Sequence, residues 1–209
     1  AVTISSALDL SREIVTLDSL GSLRSGTNAL RSALDAVNAG TTRKMIVTTA
    51  DCRQAYPQSA LEESLGDGAA ALLIGDTNVA VAVEGRFSLA DEITDLWRRD
   101  EDHFVRTWED RFNLAEGFQR VVKEAVQKAM ATFKMELADL NKVVYYAPNA
   151  RAHSNLAKAL GLNYKTQVQK PLFDKVGNWG SAAPFLLLAA ALDEAAPGDR
   201  ILFVSYGNG

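Results

Sequence analysis

The sequence GNWGSAAPFLLLAAALDEAAPGDRILFVSYG, residues 177–207, encodes a helix, a turn and a strand. Its apolar run from Ala182 to Leu192 is interrupted only by Pro184, and such a run predicts a buried helix over 180–192. The run is shorter than the ~18 apolar residues that indicate a membrane span. The β-branched and aromatic residues of RILFVS, 200–205, predict a buried strand. A helix followed by such a strand indicates the α/β class.

A similar unit occurs nearer the N-terminus. In the later unit Gly180-Ser181 begins the helix and a strand follows Gly198. In the earlier unit Gly26-Thr27 begins a helix, and the strand KMIVTTA, 44–50, follows Gly40. Both units place a small hydroxyl pair at a helix start and an apolar strand after a glycine. This repetition predicts an internally duplicated α/β domain.

The remaining segments add elements with helical or alternating periodicity. Apolar residues at helical spacing predict a long helix over 118–133 and a shorter one over 154–160. Short apolar runs bounded by turn residues predict strands at 12–17, 69–74, 79–83 and 139–146, with 69–74 and 79–83 joined as a hairpin. The charged and aromatic stretch 91–113 has no regular pattern.

Composition excludes several classes of protein. The 209 residues include 22 Lys and Arg against 26 Asp and Glu, a formal charge of −4, so the chain lacks the basic excess that nucleic acid binding needs. Cys52 is the only cysteine, which excludes an intrachain disulfide, and no Cys/His cluster has zinc spacing. No basic segment of the kind that opens a secretory signal is present. A cytoplasmic protein with no metal site and no membrane contact is the expectation.

Five short motifs occur in an order that resembles the thiolase superfamily. They are SGTNAL at 25–30, AD at 50–51, GDGAAALL at 66–73, GNWGS at 177–181 and PGDRILFVSYG at 197–207. Within that superfamily the chain is most similar to the branch of the hydroxymethylglutaryl-CoA synthases and the 3-oxoacyl-ACP synthases III. The match extends through essentially the whole chain.

The resemblance implies part of a thiolase-like fold of five alternating layers, αβαβα, built by internal duplication. Residues 1–116 would be the remainder of the N-terminal half with an insertion at 86–116, and 117–209 would be the C-terminal half. The first βαβ portion and the last strand of the usual domain would be missing. An acidic catalytic residue of the hydroxymethylglutaryl-CoA synthases would lie upstream of Ala1.

The resemblance also implies a chemistry, a two-step Claisen condensation on acyl-CoA or acyl-ACP thioesters without a further cofactor. It places Leu23 at the position of the nucleophilic cysteine, Tyr146 at that of the histidine, Asn178 at that of the asparagine and the backbone N–H of Gly207 in the oxyanion hole. Leucine has no nucleophilic atom, and tyrosine, with an ordinary pKa of about 10, is a poor base. The catalytic site is therefore predicted to be degenerate.

Other residues are candidates to replace the missing nucleophile and base. Ser22 adjoins the nucleophile position, but a turn or capping hydroxyl is favoured over catalysis because no base is identifiable. His153 is predicted to be a surface or capping histidine, and Cys52 a small buried apolar residue. Asn178 is equally compatible with a helix cap and with a donor to a thioester carbonyl. The stretch 97–111 could be a lid, a partner surface or a solvated segment.

Three functions remain open at this level. The first is an acyltransferase of the synthase type that acts on acyl-CoA thioesters with an altered site. The second is a non-catalytic subunit that pairs with an active thiolase-type partner, together with a small zinc-ribbon and OB-fold protein. The third is a thioester binder or hydrolase that performs no condensation. The resemblance also implies a dimer in which the strand 44–50 pairs with its counterpart across a twofold axis.

Overall fold

A computed structural model of the protein describes residues 1–207. Its helices are α1 (Val2–Ala7), α2 (Ser25–Asn38), α3 (Asp110–Phe112), α4 (Arg120–Phe133), α5 (Ala150–Leu160), α6 (Phe173–Val176) and α7 (Ala183–Glu194). A π-helical segment, Asn113–Gln119, joins α3 to α4, and 3-10 turns lie at Leu137–Asp139 and Gly180–Ala182. The strands are β1 (Lys44–Asp51), β2 (Gly68–Gly75), β3 (Leu96–Trp97), β4 (Arg106–Thr107), β5 (Lys142–Tyr145) and β6 (Ile201–Val204).

Four layers of secondary structure follow one another across the described part of the molecule. The antiparallel pair β1 and β2 is the first layer. Helices α2 and α7 come next, and their Ala33 and Phe185 pack on Val47 of β1. Through Leu187, α7 also packs on Val144 of the parallel pair β5 and β6. Because α7 lies between two sheets it is apolar on all sides, as its sequence predicts. Among residues 1–207 no helix is long and apolar enough to cross a membrane.

The fourth layer covers the outer face of β5 and β6. Successive side chains of a strand point to opposite faces. Val143 and Tyr145 therefore point away from α7, into a core built mainly with α4 and α5 that includes Phe118 and Leu156. These layers supply four of the five that the resemblance implies. The outer face of β1 and β2 is open in residues 1–207, where Ile46 and Leu73 are 47% and 68% exposed.

The two predicted repeat units are both formed. In each, a helix is followed by a glycine with a positive φ, +70° at Gly40 and +92° at Gly198, and then by a strand. This left-handed conformation is strained for other residues, which explains the glycine at both positions. The division of the chain at 116/117 remains a prediction.

Two predicted strands are wrong. Residues 12–17 form no strand and pair with nothing in the described chain, and Val15 is 96% exposed. The segment 79–83 does not form a hairpin with β2, whose strand partner in residues 1–207 is β1. Both segments have the composition of a strand, but the ladder hydrogen bonds that make one are absent there. A short helix at Val2–Ala7, for which no element was predicted, precedes the segment 12–17.

The prediction of His153 as a surface or capping residue is also wrong. Its side chain is 1% exposed, stacks on Tyr145 with ring centroids 4.5 Å apart, and its Nδ1 lies 3.3 Å from the hydroxyl of Tyr164. Burial lowers the pKa of His153 to about 4. The imidazole belongs to the core between β5 and α5 and is neutral at physiological pH.

His153 is expected to make the fold sensitive to acid. The folded pKa of about 4 lies below the ordinary value of 6.5, so the unfolded chain binds this proton more readily. Stability should therefore fall as the pH drops from 6.5 towards 4, by about 3 kcal/mol, and this contribution should then level off. Urea unfolding across this range tests it, with His153→Phe as the variant that keeps the ring and cannot titrate. An identical pH dependence in both proteins would contradict the expectation.

Candidate functional site

The candidate site begins where the loop before α2 meets the end of β6. Leu23 is partly buried there, and a Cβ added at Gly207 would lie 2.7 Å from the Cβ of Leu23 and 3.0 Å from the backbone nitrogen of Arg24. The hydroxyl of Thr27, in the first turn of α2, shares a hydrogen bond of 2.8 Å with the hydroxyl of Ser205, which follows β6. The structure thus brings two predicted site residues, Leu23 and Gly207, into contact, and no side chain fits between them.

Asn178 uses the full hydrogen-bonding capacity of its amide inside the protein. Its Oδ1 accepts from Nη2 of Arg53 at 2.8 Å and from the backbone nitrogen of Gly180 at 3.0 Å. Its Nδ2 donates to the hydroxyl of Tyr146 at 3.1 Å and to the carbonyl of Pro148 at 3.0 Å. An amide has two donor hydrogens and two acceptor lone pairs. In this conformation, Asn178 therefore has no capacity left for a ligand.

Arg53 was not identified from the sequence. Its side chain is only 7% exposed, and its Nη2 donates to both the side-chain and the backbone oxygen of Asn178, at 2.8 and 2.9 Å. The Nε lies 3.6 Å from Oδ2 of Asp51, at the end of β1. That oxygen also accepts from the backbone nitrogen of Ser181 at 2.9 Å. The AD motif at 50–51 marked this strand end, but only the fold shows that the arginine two residues later turns inward.

Tyr146 is 2% exposed and follows β5 directly. Burial raises the pKa of its hydroxyl further above the ordinary value of 10, against the opposing effects of Arg53 and Asn178. The hydroxyl is therefore protonated at physiological pH and cannot remove a proton from a substrate. The structure brings Tyr146 and Asn178 together, but as hydrogen-bond partners of each other.

A buried carboxyl, Asp95, lies beside these residues and was also missed. Asp95 is 8% exposed, its Oδ1 accepts from the backbone nitrogen of Leu96 at 2.8 Å, and it hydrogen-bonds to the hydroxyl of Tyr206. Burial raises the pKa of Asp95, and the hydrogen bonds and the charge of Arg53 offset part of this. It comes from the stretch 91–113, whose sequence gives no periodic signal for an inward-facing carboxyl.

One pair of predicted residues is Leu23 and Gly207, and the other is Tyr146 and Asn178. Ser181 and the start of α2 connect the two pairs. Thr49 of β1 donates to Oγ of Ser181 at 3.4 Å. A Cβ added at Gly26 would lie 3.0 Å from Oγ1 of Thr49 and 3.5 Å from the backbone oxygen of Ser181. Close packing at Gly26 therefore places the helix start next to the loop that carries Asn178.

The remaining candidates are not reactive groups of this site. The Oγ of Ser22 accepts from the backbone nitrogen of Arg24 at 3.0 Å, as a turn hydroxyl does. His153 contacts Tyr145 and Tyr164 on the outer side of β5. Cys52 was predicted to be buried, and this is wrong: it is exposed, because it follows β1 on the solvent side, and a hydrogen bond to Asp67 raises its pKa.

A groove of about 470 Å³ opens beside the site, between the loop after β1 and the β3–β4 hairpin. Val105, in its wall, donates its backbone N–H to the carbonyl of Gln54, the residue after Arg53, at 2.9 Å. Aromatic side chains line much of it, including Tyr56, Trp97 and Trp108, with Ser59, whose buried Oγ has no partner in residues 1–207. The stretch 97–111 therefore forms one wall of a groove.

No metal centre is indicated in the part of the chain that the structure describes. Within residues 1–207, no three His, Cys, Asp or Glu side chains are grouped as metal ligands. The polar groups of the site are instead two carboxyls, one guanidinium, one amide and two phenols, at Asp51, Asp95, Arg53, Asn178, Tyr146 and Tyr206.

Comparisons with known proteins agree with this fold. Residues 130–209 match the family described as 3-oxoacyl-[acyl-carrier-protein] synthase III, C terminal. The chain is 31% identical to the hydroxymethylglutaryl-CoA synthase of Pyrococcus furiosus, over 100% of this chain and 60% of that protein. It is 29% identical to the synthase of Methanopyrus kandleri, over 100% of this chain and 59% of that one. The chain thus spans about 60% of the length of these relatives.

Solved structures show the same architecture. The 3-oxoacyl-[acyl-carrier-protein] synthase III of Aquifex aeolicus superposes with a TM-score of 0.85 at 19% identity, over 100% of this chain and 68% of that one. A hydroxymethylglutaryl-CoA synthase complexed with CoA superposes with a TM-score of 0.78 at 19% identity, over 96% of this chain and 55% of that one. Likeness at this level of identity defines the fold.

The fold and the placement of these side chains define a thiolase-like α/β protein. Within that class, the family match, the curated relatives and the structures all lead to one group. These findings support a likeness to the thiolase-like branch that contains the hydroxymethylglutaryl-CoA synthases and the 3-oxoacyl-ACP synthases III.

Proposed function

We propose that this chain binds an acyl-CoA thioester on a condensing-enzyme scaffold and carries no acyl group at the nucleophile position. The observation that supports this most directly is the contact between Leu23 and Gly207. The start of α2 and the end of β6 meet where the resemblance implies the acyl-enzyme site, and the side chain at position 23 is a hydrocarbon. Without a sulfur or oxygen atom at 23, the first half of a Claisen condensation has no acceptor for the acyl group.

The second half of the condensation also lacks its groups. Forming a carbanion next to a thioester needs a base and a hydrogen-bond donor to the thioester oxygen. Tyr146 is protonated and buried, and both N–H groups of Asn178 are donated to Tyr146 and Pro148. The altered site therefore lacks the groups that condensation needs.

The aromatic groove supports the choice of ligand. Tyr56, Trp97 and Trp108 line a space of about 470 Å³, and Val105 in its wall is hydrogen-bonded to Gln54, the residue after Arg53. Aromatic rings stack well on a flat heterocycle, which is what the adenine of CoA offers. Ser59 adds a buried hydroxyl without a partner among residues 1–207.

Mass spectrometry of the intact protein after incubation with acetyl-CoA tests the absence of acylation. Two proteins are compared, one that retains Leu23 and one that carries Leu23→Cys. Both carry Cys52→Ser, because acylation of the exposed Cys52 would obscure the result. We expect no gain of an acetyl group on the otherwise unchanged protein. The matched variant Leu23→Cys should be labelled, because a thiol at a helix start has a lowered pKa and would meet the thioester there. An acyl group on the protein that retains Leu23 would refute the proposal.

A second candidate function is that of a non-catalytic subunit, in which the chain pairs with a thiolase-type partner. The supporting observation is the open outer face of β1 and β2, where Ile46 and Leu73 are largely uncovered in residues 1–207. The resemblance implies that the strand 44–50 pairs with a second copy. Such pairing of β1 would produce a homodimer instead. A zinc-ribbon and OB-fold protein would be a further component. Isolation of a stable complex with an active thiolase-type enzyme, whose activity depends on this chain, would favour the subunit function.

A further inference from the structure

Positive charge is concentrated on the surface of α5, α6 and the loop between them. Five exposed cations lie there, and together they are called the basic face: Arg151, Lys158, Lys165, Lys170 and Lys175. Asp174 is the only acid in the range 151–175, although the whole chain has a formal charge of −4. The local charge therefore has the opposite sign to the average from which no membrane contact was expected.

The segments that carry the basic face meet at His153. Arg151 and Lys158 lie on the same side of α5, because their separation in sequence equals about two helical turns. Tyr164, in the loop after α5, places its hydroxyl 3.3 Å from Nδ1 of His153. The ring of Phe173, in α6, has its centroid 6.5 Å from that of the imidazole. The cations on these segments therefore border one region of the surface.

The charges of the basic face are not used for ion pairs within the fold. None of the five cations forms an ion pair with a carboxylate in residues 1–207. Lys158 is well placed in the last turn of α5, but Arg151 is in the first turn, where the helix macrodipole already disfavours a cation. These charges are therefore available to an anionic partner.

The shape of the basic face favours a broad anionic surface over a small anion. Neither the aromatic groove nor the small cavity beside Tyr146 and Phe173 is lined by any of the five cations. A small ligand is bound where polar groups converge in a concave site, whereas a layer of lipid headgroups needs only exposed charge.

Exposed apolar groups accompany the cations. Tyr164 and Val176 are 41% and 44% exposed, and each is next in sequence to a lysine of the basic face. Apolar and aromatic side chains beside cations are typical of surfaces that lie at the level of lipid headgroups. A folded acidic protein would instead need matching positions for each charge, and the cations here are spread over two helices and a loop.

We propose that the basic face binds the surface of an anionic lipid bilayer. Its cations contact the lipid phosphates, and Tyr164 and Val176 lie at headgroup level. The contact is peripheral, and it does not depend on the thioester that the proposed function assigns. Each Lys or Arg near an anionic bilayer adds to the attraction, and salt screens it.

Co-sedimentation of the intact protein with lipid vesicles tests this proposal. One set of vesicles contains phosphatidylglycerol and phosphatidylcholine in equal amounts, and the other contains only phosphatidylcholine. At a salt concentration of about 0.1 M, we expect partitioning to the anionic vesicles to be about tenfold stronger or more. The double variant Lys158→Gln, Lys165→Gln should weaken this partitioning by about tenfold or more.

A matched control makes the same change of charge elsewhere. Arg43→Gln with Lys44→Gln removes two exposed cations at the start of β1, in the first layer of the fold, whereas α5 belongs to the fourth. Partitioning of this variant to the anionic vesicles should stay nearly unchanged. An equal loss in the two double variants would show that net charge, and not the basic face, determines binding.

The other outcomes also decide the question. Equal partitioning to the two kinds of vesicle, or none to either, would overturn the proposal. A preference for anionic vesicles that persists in the Lys158→Gln, Lys165→Gln protein would assign lipid binding to another surface. Soluble polyglutamate is the probe for an acidic protein: if the chain binds it and not the vesicles, the lipid proposal is wrong.

Discussion

Replacing Asn178 with alanine is expected to lower the free energy of unfolding by about 3–5 kcal/mol. The substitution removes four hydrogen bonds that connect three segments of the chain, and it leaves Arg53 buried with only the backbone oxygen of residue 178 as an acceptor. A buried charge that loses its acceptor is far more costly than a neutral group that loses one. Chemical denaturation of both proteins measures the difference.

The matched control for this substitution is Asn149→Ala. Asn149 caps α5, and its side chain accepts from the backbone nitrogen of Ala152 at 2.9 Å. Losing such a cap costs about 1 kcal/mol. Asn178→Ala should thus be several times more destabilising than Asn149→Ala. Equal losses in the two variants would show that Asn178 does not hold Arg53 in place.

Gly66→Ala is expected to destabilise the fold by about 3 kcal/mol or more. The backbone nitrogen of Gly66 donates to the carbonyl of Asn178 at 3.0 Å, and Asn178 in turn donates to the carbonyl of Ser64 at 2.7 Å. A Cβ on Gly66 would overlap the backbone oxygen of Val176. A main-chain atom cannot move aside as a flexible side chain can, so the loop that carries Asn178 would be forced away from 64–66.

Gly75→Ala, at the far end of β2, provides the comparison. A Cβ at Gly75, the last residue of β2, would lie 3.5 Å from the backbone oxygen of Arg43 and 3.7 Å from Cγ of Lys44, which is ordinary contact. Its effect should stay within about 0.5 kcal/mol. Denaturation midpoints for the two alanine variants separate the steric cost from any general effect of replacing glycine. A mild effect at Gly66 would mean that the loop is free to shift.

The main architecture follows from local patterns in the sequence. The apolar run 182–192 predicts a buried helix, and α7 lies between two sheets. The alternating and apolar strands at 44–50, 139–146 and 200–205 are found as β1, β5 and β6 because each has a partner strand or a covering helix. The strands expected at 12–17 and 79–83 fail for the opposite reason. Strand composition is necessary for a strand, but a pairing partner determines whether one forms.

The site was predictable only in part. Leu23, Tyr146, Asn178 and Gly207 were located by motif, and the structure places them in two contacting pairs. Arg53 was missed because its acceptor, Asn178, is 125 residues away in the sequence. No local pattern reports a contact of that range. His153 and Cys52 were misassigned for a related reason, since burial depends on which elements pack over a residue and not on its own neighbours in the chain.

The central position of α7 has a consequence for how the chain is made. Thr49 on β1 and Ser181 just before α7 are 132 residues apart. The residues of the first sheet are therefore translated long before α7, the helix that packs on them. At about 5–20 residues per second, a ribosome needs roughly 7–26 s to synthesise the stretch between them. During that interval α2 covers only its own share of the face, and the apolar part that α7 will cover stays exposed, which is the kind of surface that favours aggregation and engages chaperones.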